Sequence, residues 1–265
     1  MKAFYRNKTV LVTGAASGIG RRFAEQISAF GVTLILWDRD PELLRTLDIH
    51  KTTEVLASRV DVTDPRNILN EADQIIKGRF VPDIIVNCAG IVVGEYFRDY
   101  TFRDIEQTMM VNTVGSMLVA NAFLPKMIER GSGQIVNMAS AAGYLGNPKM
   151  SVYGASKWAV LGWAESLRLE LKHTGVSVTS VIPGYVKTGM FEGVRAPFLV
   201  PLLKTDTLVK KMLKGIRKHR FKIHAPFMVR FTPLIKAILP RFIFDWLAGR
   251  VFRVYHSMDT FKGRP

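Results

Sequence analysis

The chain has 265 residues, of which 48% are hydrophobic, and this length and composition allow a sizeable buried core and argue against a disordered protein. The net charge of +15 is uneven, because residues 195–265 hold 16 Lys and Arg against 3 Asp and Glu, a balance of +13. The five His residues show no metal-ligand spacing, and the single Cys88 has no cysteine partner. We therefore predict no metal site and no internal disulfide.

The sequence shows no mark of export or membrane insertion. The first ten residues, MKAFYRNKTV, contain no apolar segment typical of a secretory signal. No stretch of about 18 uncharged apolar residues occurs, so we expect no membrane-spanning helix. These features predict a cytoplasmic protein.

Along the chain, short β-branched runs alternate with amphipathic stretches, which is typical of βαβ units. The predicted strands are 8–14, 32–38, 54–62, 83–90, 133–140 and 176–184. The predicted helices are 17–31, 40–47, a segment that begins at 65, two segments within 101–130 interrupted near 112–115, and 150–173. Asp40 and Asp64, each followed by Pro, are expected to cap their helices. The pattern predicts an α/β fold with a doubly wound parallel sheet, in a single domain over 1–265.

After residue 190 the sequence changes character. Residues 205–220 predict a basic helix, and a short strand follows. Residues 227–258 set Phe, Ile, Leu and Trp among Arg and Lys, and Pro240 divides them into two helices that extend the domain. These helices could pack over the substrate cleft or face an anionic membrane surface, and the two interpretations are compatible.

Three glycines, Gly14, Gly18 and Gly20, lie between the first predicted strand and the first predicted helix. Glycine lets the backbone turn sharply and approach a pyrophosphate, while the helix N-terminus offers free N–H groups to the anion. A tight turn alone could also use such glycines. The strand and helix on either side favour a dinucleotide site.

A carboxylate at the end of the second predicted strand bears on the choice of dinucleotide. Asp38 follows Gly20 by 18 residues, where an acid accepts hydrogen bonds from the adenosine ribose and repels a 2′-phosphate. We therefore expect NAD as the cofactor. NADP stays possible, because Arg39, Arg21 and Arg22 could accommodate the phosphate.

The stretch YGASK places Tyr153 and Lys157 four residues apart. On a helix, this spacing brings a phenol and an ammonium to the same face. Such pairs are common, and alone the spacing is weak evidence for a catalytic site.

Together the ordered motifs resemble the short-chain dehydrogenase/reductase family, in its single-domain branch with a TGxxxGxG loop. The motifs are TGAASGIG at 13–20, DV at 61–62, NCAG at 87–90, Asn112, Ser140, YGASK at 153–157 and PGYVKT at 183–188. The resemblance covers about residues 7–190 and implies a Rossmann-like fold. One departure is Cys88, where the family more often has Asn.

The resemblance implies an NAD(P)-dependent oxidoreductase. By analogy, Tyr153 is the general acid/base, Lys157 supports it and binds the nicotinamide ribose, Ser140 polarises the substrate oxygen, and Asn112 anchors a water near Lys157. The implied cofactor-binding residues are Gly14, Ser17, Gly18, Ile19, Gly20, Asp38, Asp61, Val62, Asn87, Ala89, Gly90, Tyr153, Lys157, Pro183, Gly184, Val186 and Thr188.

The Tyr153–Lys157 pair is sufficient in principle to activate the phenol. Lowering the pKa of a phenol from about 10 to about 7 requires roughly 4 kcal/mol. One ammonium about 4 Å away, at an effective dielectric constant of about 20, supplies about that much. We therefore expect Lys157 to lower the pKa of Tyr153.

Apolar side chains in the loops implied to lie over the nicotinamide predict a hydrophobic alcohol or ketone as substrate. They are Tyr144, Leu145, Tyr185, Met190, Phe191, Phe198 and Leu199. Lipid, retinoid and steroid-like substrates all fit. One alternative is an NADPH-dependent ketoreductase of a long-chain acyl or sphingoid-like substrate. Two others are a sugar epimerase of the extended branch and a regulatory or nucleic-acid-binding protein on the same fold. Since the catalytic set is complete, we expect no nucleic acid partner.

A homodimer is also predicted from this sequence. Trp158, Leu161, Ala164 and Leu167 place apolar groups on a helix face that would be polar if exposed. Many relatives implied by the resemblance pair through the two long helices, whereas the terminal strand typical of tetramers is missing here.

Overall fold

The computed structural model describes residues 1–197 and 202–263. Within them a seven-stranded parallel sheet has the strand order β3-β2-β1-β4-β5-β6-β7. The strands are β1 Thr9–Thr13, β2 Thr33–Asp38, β3 Glu54–Arg59, β4 Ile84–Asn87, β5 Gly133–Met138, β6 Val176–Pro183 and β7 Lys222–Ala225. The chain order reverses at β1, and neighbouring β1 and β4 therefore form the switch point where such sheets bind ligands.

Helices cover both faces of this sheet. They are α1 Lys2–Tyr5, α2 Gly18–Ser28, α3 Pro41–Arg45, α4 Pro65–Lys77, α5 Phe102–Met109, α6 Gly115–Glu129, α7 Ser151–Glu170, α8 Thr205–Arg217, α9 Thr232–Ile238 and α10 Arg241–Trp246. The core against α2 and α8 is separate from the core against α4, α6 and α7. The predicted doubly wound fold is thus confirmed.

Local sequence determines several of the helix boundaries. The Asp40 and Asp64 carboxylates each accept two backbone N–H bonds at the first turn of their helices, as predicted. At the predicted interruption near 112–115, Met110–Val114 form a π-helical turn. This turn joins α5 directly to α6. This turn brings Asn112 beneath the end of β4.

All six predicted strands are shorter in the structure, and β3 and β4 are shorter by at least three residues. β3 ends at Arg59 and β4 at Asn87, so Cys88 lies one residue beyond its strand and is half-buried. The strand predicted over 83–90 is therefore corrected to Ile84–Asn87, because the strand pairing stops where the cleft begins.

The helix face that suggested a dimer is mostly internal. Leu161, Ala164 and Leu167 are buried within this chain, Ala164 and Leu167 against the core of α4 and α6. Trp158 is exposed, but the Lys236 ammonium lies 4.6 Å from the centre of its ring. The premise of an exposed apolar face was wrong, because α7 packs along much of its circumference; the homodimer stays a prediction.

Beyond residue 190, the predicted basic helix is α8, which packs on α2, and the predicted short strand is β7 at the sheet edge. Phe198 and Leu199 lie outside the described residues. None of the described helices is long and apolar enough to cross a bilayer.

Candidate active site

A cleft opens at the carboxyl ends of the strands, above the switch point between β1 and β4. Its empty space, open mouth included, is about 1370 Å³. The lining includes most of the predicted cofactor and catalytic residues: Gly14, Ser17, Gly18, Ile19, Asp38, Asp61, Val62, Ala89, Gly90, Ser140, Tyr153, Lys157, Pro183, Gly184, Val186 and Thr188. Residues from most of the predicted motifs therefore meet in one place.

The glycine loop forms the floor of the cleft. Gly14 has φ +63° and lies so close to the end of β4 that a Cβ there would lie 2.8 Å from the Ala89 backbone. Gly20 packs against the loop itself, because a Cβ there would lie 2.3 Å from the Gly14 carbonyl oxygen. Ser17 caps α2 without a side-chain hydrogen bond to the helix, and Ser17, Gly18 and Ile19 at this helix N-terminus line the cleft. This cradle suits a pyrophosphate.

Asp38 is held at the far end of the same loop. One carboxylate oxygen accepts a hydrogen bond from the Ala16 N–H at 2.9 Å, and the other accepts from the Asp40 N–H at 3.1 Å. These bonds fix the carboxylate at the cleft wall beside the exposed Arg39.

The other two arginines are engaged elsewhere. The Arg21 guanidinium binds Glu25 and Thr46, and that of Arg22 binds Glu25 and Asp206. Of the three arginines considered for a 2′-phosphate, Arg39 is the one that lines the cleft.

Ser140, Tyr153 and Lys157 meet where β5 ends and α7 begins. Ser140 follows β5 and its hydroxyl accepts the Ala142 N–H at 3.1 Å, which shapes the turn leading to α7. The Lys157 ammonium donates to the Met138 carbonyl at 2.9 Å and lies 5.7 Å from the centre of the Tyr153 ring. All three side chains are buried and all three line the cleft.

The pKa of Tyr153 differs from the expectation. Burial raises the pKa of its phenol to about 12, while hydrogen bonding with Ser140 acts in the lowering direction. The predicted lowering by Lys157 is not found, because desolvation of the buried phenolate is the largest influence on this pKa and raises it.

Burial acts on the neighbouring groups in the same way. It lowers the pKa of Lys157 from 10.5 to about 8, since the buried ammonium loses hydration. It raises the pKa of the Cys88 thiol to about 12. Cys88 is therefore a neutral wall residue of the cleft at physiological pH.

The buried Lys157 predicts a pH-dependent stability. Because its pKa is lower in the folded chain than in the unfolded chain, the ammonium destabilises the fold below about pH 8, and this penalty disappears as the pH rises towards 10.5. Lys157→Met should raise the free energy of unfolding near neutral pH by at most about 3 kcal/mol. It should also flatten the rise in stability between about pH 8 and 10.

Urea unfolding of the wild type and Lys157→Met across that pH range measures the effect. Lys172→Met, at an exposed lysine near the end of the same helix, is the matched control and should leave the pH profile unchanged. A wild-type stability that does not rise above about pH 8 would contradict the assignment.

Two predicted asparagines are structural in their contacts. The Asn112 amide donates to the Ile91 carbonyl and to the Ser156 hydroxyl, and its oxygen accepts the Ile91 N–H at 2.8 Å. The Asn87 amide donates to the Ser116 carbonyl and to the Asn137 side chain. Neither side chain is among the described residues that line the cleft, and the water anchored by Asn112 stays a prediction.

Three predicted substrate residues also lie away from the cleft lining. Tyr144 packs beside Val229 and hydrogen-bonds His224 at 3.3 Å, and Leu145 borders a second cleft beside α9 and α10. The turn over 141–143 points this segment towards β7, which corrects the prediction for both residues. Tyr185 lies behind Phe191, with ring centres 5.4 Å apart, whereas Met190 and Phe191 do line the cleft.

Sequence reasoning missed the segment of residues 257–262, which we call the strap and which packs beside Tyr153 and Tyr185. The Ser257 hydroxyl hydrogen-bonds the Tyr185 hydroxyl at 2.7 Å and accepts from the Asn147 amide at 2.9 Å. Met258 is buried in one apolar cluster with Tyr153, and Phe261 packs at its edge. No local pattern in the sequence indicates these contacts, because they join segments far apart in the chain.

Thr13 was missed as well. Its hydroxyl accepts the N–H groups of Cys88 and Ala89, both at 3.2 Å, and so ties the end of β1 to the end of β4. The TGxxxGxG motif includes this threonine and could have indicated it.

Comparisons with known proteins agree with this geometry. A family model described as short chain dehydrogenase matches residues 8–197. Epidermal retinol dehydrogenase 2 of Mus musculus is 35% identical over 270 residues, covering 96% of this chain and 85% of its own. Retinol dehydrogenase 10 of Homo sapiens is 33% identical over 266 residues, covering 87% and 78%.

Solved structures are similar over most of their length. A short chain dehydrogenase/reductase from Burkholderia phymatum in complex with NAD has 26% identity and a TM-score of 0.78, covering 87% of this chain and 93% of that one. A short-chain dehydrogenase from Sphingobium yanoikuyae in complex with NADPH has 30% identity and a TM-score of 0.77, with the same coverage. The chain therefore belongs to the short-chain dehydrogenase family, a family of NAD(P)-dependent oxidoreductases.

Proposed function

We propose that this protein oxidises a hydrophobic alcohol, or reduces the corresponding ketone or aldehyde, with NAD(H) and with Tyr153 as general acid/base. The observation that supports this most directly is that Ser140, Tyr153 and Lys157 line the same cleft as the glycine loop and Asp38. The first group suits proton transfer, and the second suits a dinucleotide. When bound, the nicotinamide would accept or supply the hydride.

In the oxidative direction, the Tyr153 oxygen would take the proton from the substrate hydroxyl, while the Ser140 hydroxyl would hold the substrate oxygen. Because burial raises the pKa of Tyr153 to about 12, this role requires added positive charge next to the phenol. The Lys157 ammonium already lies 5.7 Å from the ring centre when the phenol has this raised pKa, so the added charge must come from a further cation in the cleft. Such a cation would lower the pKa of Tyr153.

The dinucleotide would be held by residues of four strand ends. Its pyrophosphate would lie against the Gly14–Gly20 loop and the N-terminus of α2, and its adenosine ribose against Asp38. Asp61 and Val62 line the same end of the cleft. Thr188 lies opposite Gly18, since a Cβ on Gly18 would be 3.7 Å from the Thr188 side chain.

We expect Asp38→Ala to narrow the preference for NAD over NADP. A fixed carboxylate repels a 2′-phosphate, so its removal should improve NADP(H) affinity by about tenfold or more and weaken NAD(H) affinity. Calorimetric titration with all four dinucleotides measures the change. Asp48→Ala, on the loop after α3, is the control.

A wild type that binds NADPH more tightly than NADH would contradict the NAD assignment. It would favour the second candidate, an NADPH-dependent ketoreductase, for which Arg39 at the cleft wall is the phosphate partner. The relative from Sphingobium yanoikuyae was crystallised with NADPH, so both cofactors occur among similar structures.

The substrate class is supported by the cleft wall and by the relatives. Met190 and Phe191 line the cleft, and Met258 and Phe261 pack in the cluster around Tyr153. Two relatives that span most of this chain are named retinol dehydrogenases. An apolar alcohol of retinoid size is therefore the proposed substrate.

The test is a panel of retinol, a hydroxysteroid, a long-chain primary alcohol, glycerol and a sugar alcohol, each with NAD⁺ and NADP⁺. Product is separated chromatographically and counted against reduced nicotinamide. We expect kcat/KM for at least one apolar alcohol to exceed that for glycerol by about a thousandfold. Turnover of the sugar alcohol alone would refute the proposed substrate class.

A further inference from the structure

Exposed apolar side chains concentrate in residues 227–251, which we call the C-terminal apolar surface. Among the described residues, it provides nine of the twenty large hydrophobic side chains that are most exposed. They are Phe227, Met228, Phe231, Leu234, Ile235, Ile238, Phe242, Trp246 and Val251. Single exposed apolar residues are ordinary, but a contiguous group marks an interaction surface.

The rest of the described chain covers the helices of this surface only in part. No residue of α9 or α10 is buried, although their sequences are TPLIKAI and RFIFDW. Ile238 is 69% exposed and Phe242 is 74% exposed. Their main contacts are with each other and with the adjoining helical turns over 227–231 and 247–251. The apolar side chains of α9 and α10 are therefore available for contact with an external partner.

The charge of the surface narrows the choice of partner. Arg230, Lys236, Arg241 and Arg250 are exposed among the apolar groups. Asp245 is the single acid in this stretch of sequence, and the Tyr255 hydroxyl donates to its carboxylate at 2.7 Å. An occupant that matches this surface must be both apolar and anionic. A bilayer with anionic lipids offers both, whereas a nucleic acid offers the charge without a continuous apolar phase.

We propose that the C-terminal apolar surface docks on an anionic lipid bilayer. Ile238, Phe242 and Trp246 would enter the interface, where Trp is favoured, and Arg230, Arg241 and Arg250 would face the phosphate headgroups. The surface adjoins the catalytic helix: the Lys236 ammonium donates to the Tyr144 carbonyl and lies over the Trp158 ring. Docking does not depend on the proposed reaction and is measured separately from it.

The experiment is co-sedimentation of the full chain with vesicles of phosphatidylcholine alone or with phosphatidylglycerol, at low and high salt. The wild type should sediment with the phosphatidylglycerol vesicles at low salt and bind phosphatidylcholine at least tenfold more weakly. The triple variant Ile238→Ser, Phe242→Ser, Trp246→Ser should lose at least tenfold in affinity for the anionic vesicles.

A second triple variant, Leu69→Ser, Phe102→Ser, Leu169→Ser, is the matched control. It removes three exposed apolar side chains from the body of the protein and should bind as the wild type does. Thermal unfolding checks that both variants are folded. The charge variant Arg230→Glu, Arg241→Glu should lose binding to anionic vesicles and leave the weak binding to phosphatidylcholine unchanged.

Two outcomes would overturn the proposal. One is a wild type that stays in the supernatant with anionic vesicles at low salt. The other is a wild type that does not bind vesicles and that light scattering shows to be a dimer, if the first triple variant is a monomer. The C-terminal apolar surface would then join two copies of the chain.

Discussion

Tyr153→Phe is expected to lower kcat by a factor of about 10²–10⁴ and to leave dinucleotide affinity within about twofold of the wild type. The variant removes one hydroxyl from a buried ring that packs against Phe191 at 5.9 Å, so the apolar contacts survive. Proton transfer in the transition state is lost, whereas ground-state binding of the cofactor is kept. Steady-state kinetics on the best alcohol of the panel, with calorimetric titration of NADH, separates the two effects.

Tyr100→Phe is the matched control for this experiment. Burial raises the pKa of Tyr100 to about 12, as it does for Tyr153, but the Tyr100 hydroxyl donates to the Val93 carbonyl and does not line the described cleft. A raised phenol pKa therefore does not distinguish Tyr100 from Tyr153. Their positions do, because Tyr153 lines the cleft. If Tyr153→Phe kept near-wild-type turnover, or Tyr100→Phe lost as much, the assignment of the acid/base would fail.

Gly20→Ala is the second change for which we expect a large effect. The added Cβ would lie 2.3 Å from the Gly14 carbonyl oxygen and 2.9 Å from its carbon, so backbone atoms of the loop must move. Overpacking of this kind costs about 1–3 kcal/mol of stability. Because the displaced loop is the proposed pyrophosphate cradle, dinucleotide affinity should also fall by at least about tenfold.

Gly162→Ala provides the contrast on α7. Gly162 is exposed and a Cβ there meets nothing within 4 Å, so alanine should stabilise the helix by up to about 1 kcal/mol and leave cofactor affinity unchanged. Thermal unfolding and NADH titration of both variants give the two readouts. Unchanged NADH affinity in Gly20→Ala would show that the cradle lies elsewhere.

The sequence predicted those parts of the fold that local patterns determine. The six body strands and the caps at Asp40 and Asp64 were confirmed, because β-branched runs and Asp-Pro pairs act within a few residues. The interruption predicted near 112–115 is a wider helical turn that keeps α5 and α6 joined. The meeting of Ser140 with Tyr153 also follows from short spacing across one turn.

Contacts between distant segments were beyond the reach of those patterns. The hydrogen bond between Tyr185 and Ser257 and the packing of Met258 near Tyr153 depend on where the chain returns after α10. The position of Leu145 was wrong for the same reason, because the second cleft that it borders is formed with α9 and α10. Apolar periodicity on α7 likewise could not distinguish an internal face from an external one.

The pKa of Tyr153 illustrates a different limit. Coulomb's law between two point charges predicted a lowered value, but the energy of removing water from the phenolate depends on burial, which is a property of the folded chain. The spacing of two residues in a sequence indicates their Coulomb interaction but not the desolvation energy of either group.

The strap and the proposed catalytic residues come from different segments of the chain and have different tasks. The proposed proton transfer uses residues of α7 and the end of β5, whereas Met258 and Phe261 come from a segment roughly 100 residues later in the chain and pack in the apolar cluster around Tyr153. Under the proposed function, substitutions in the strap would alter which alcohols are accepted without altering the residues that move the proton. The substrate preference of such an enzyme would then be able to change through substitutions in the strap, while its reaction chemistry stays the same.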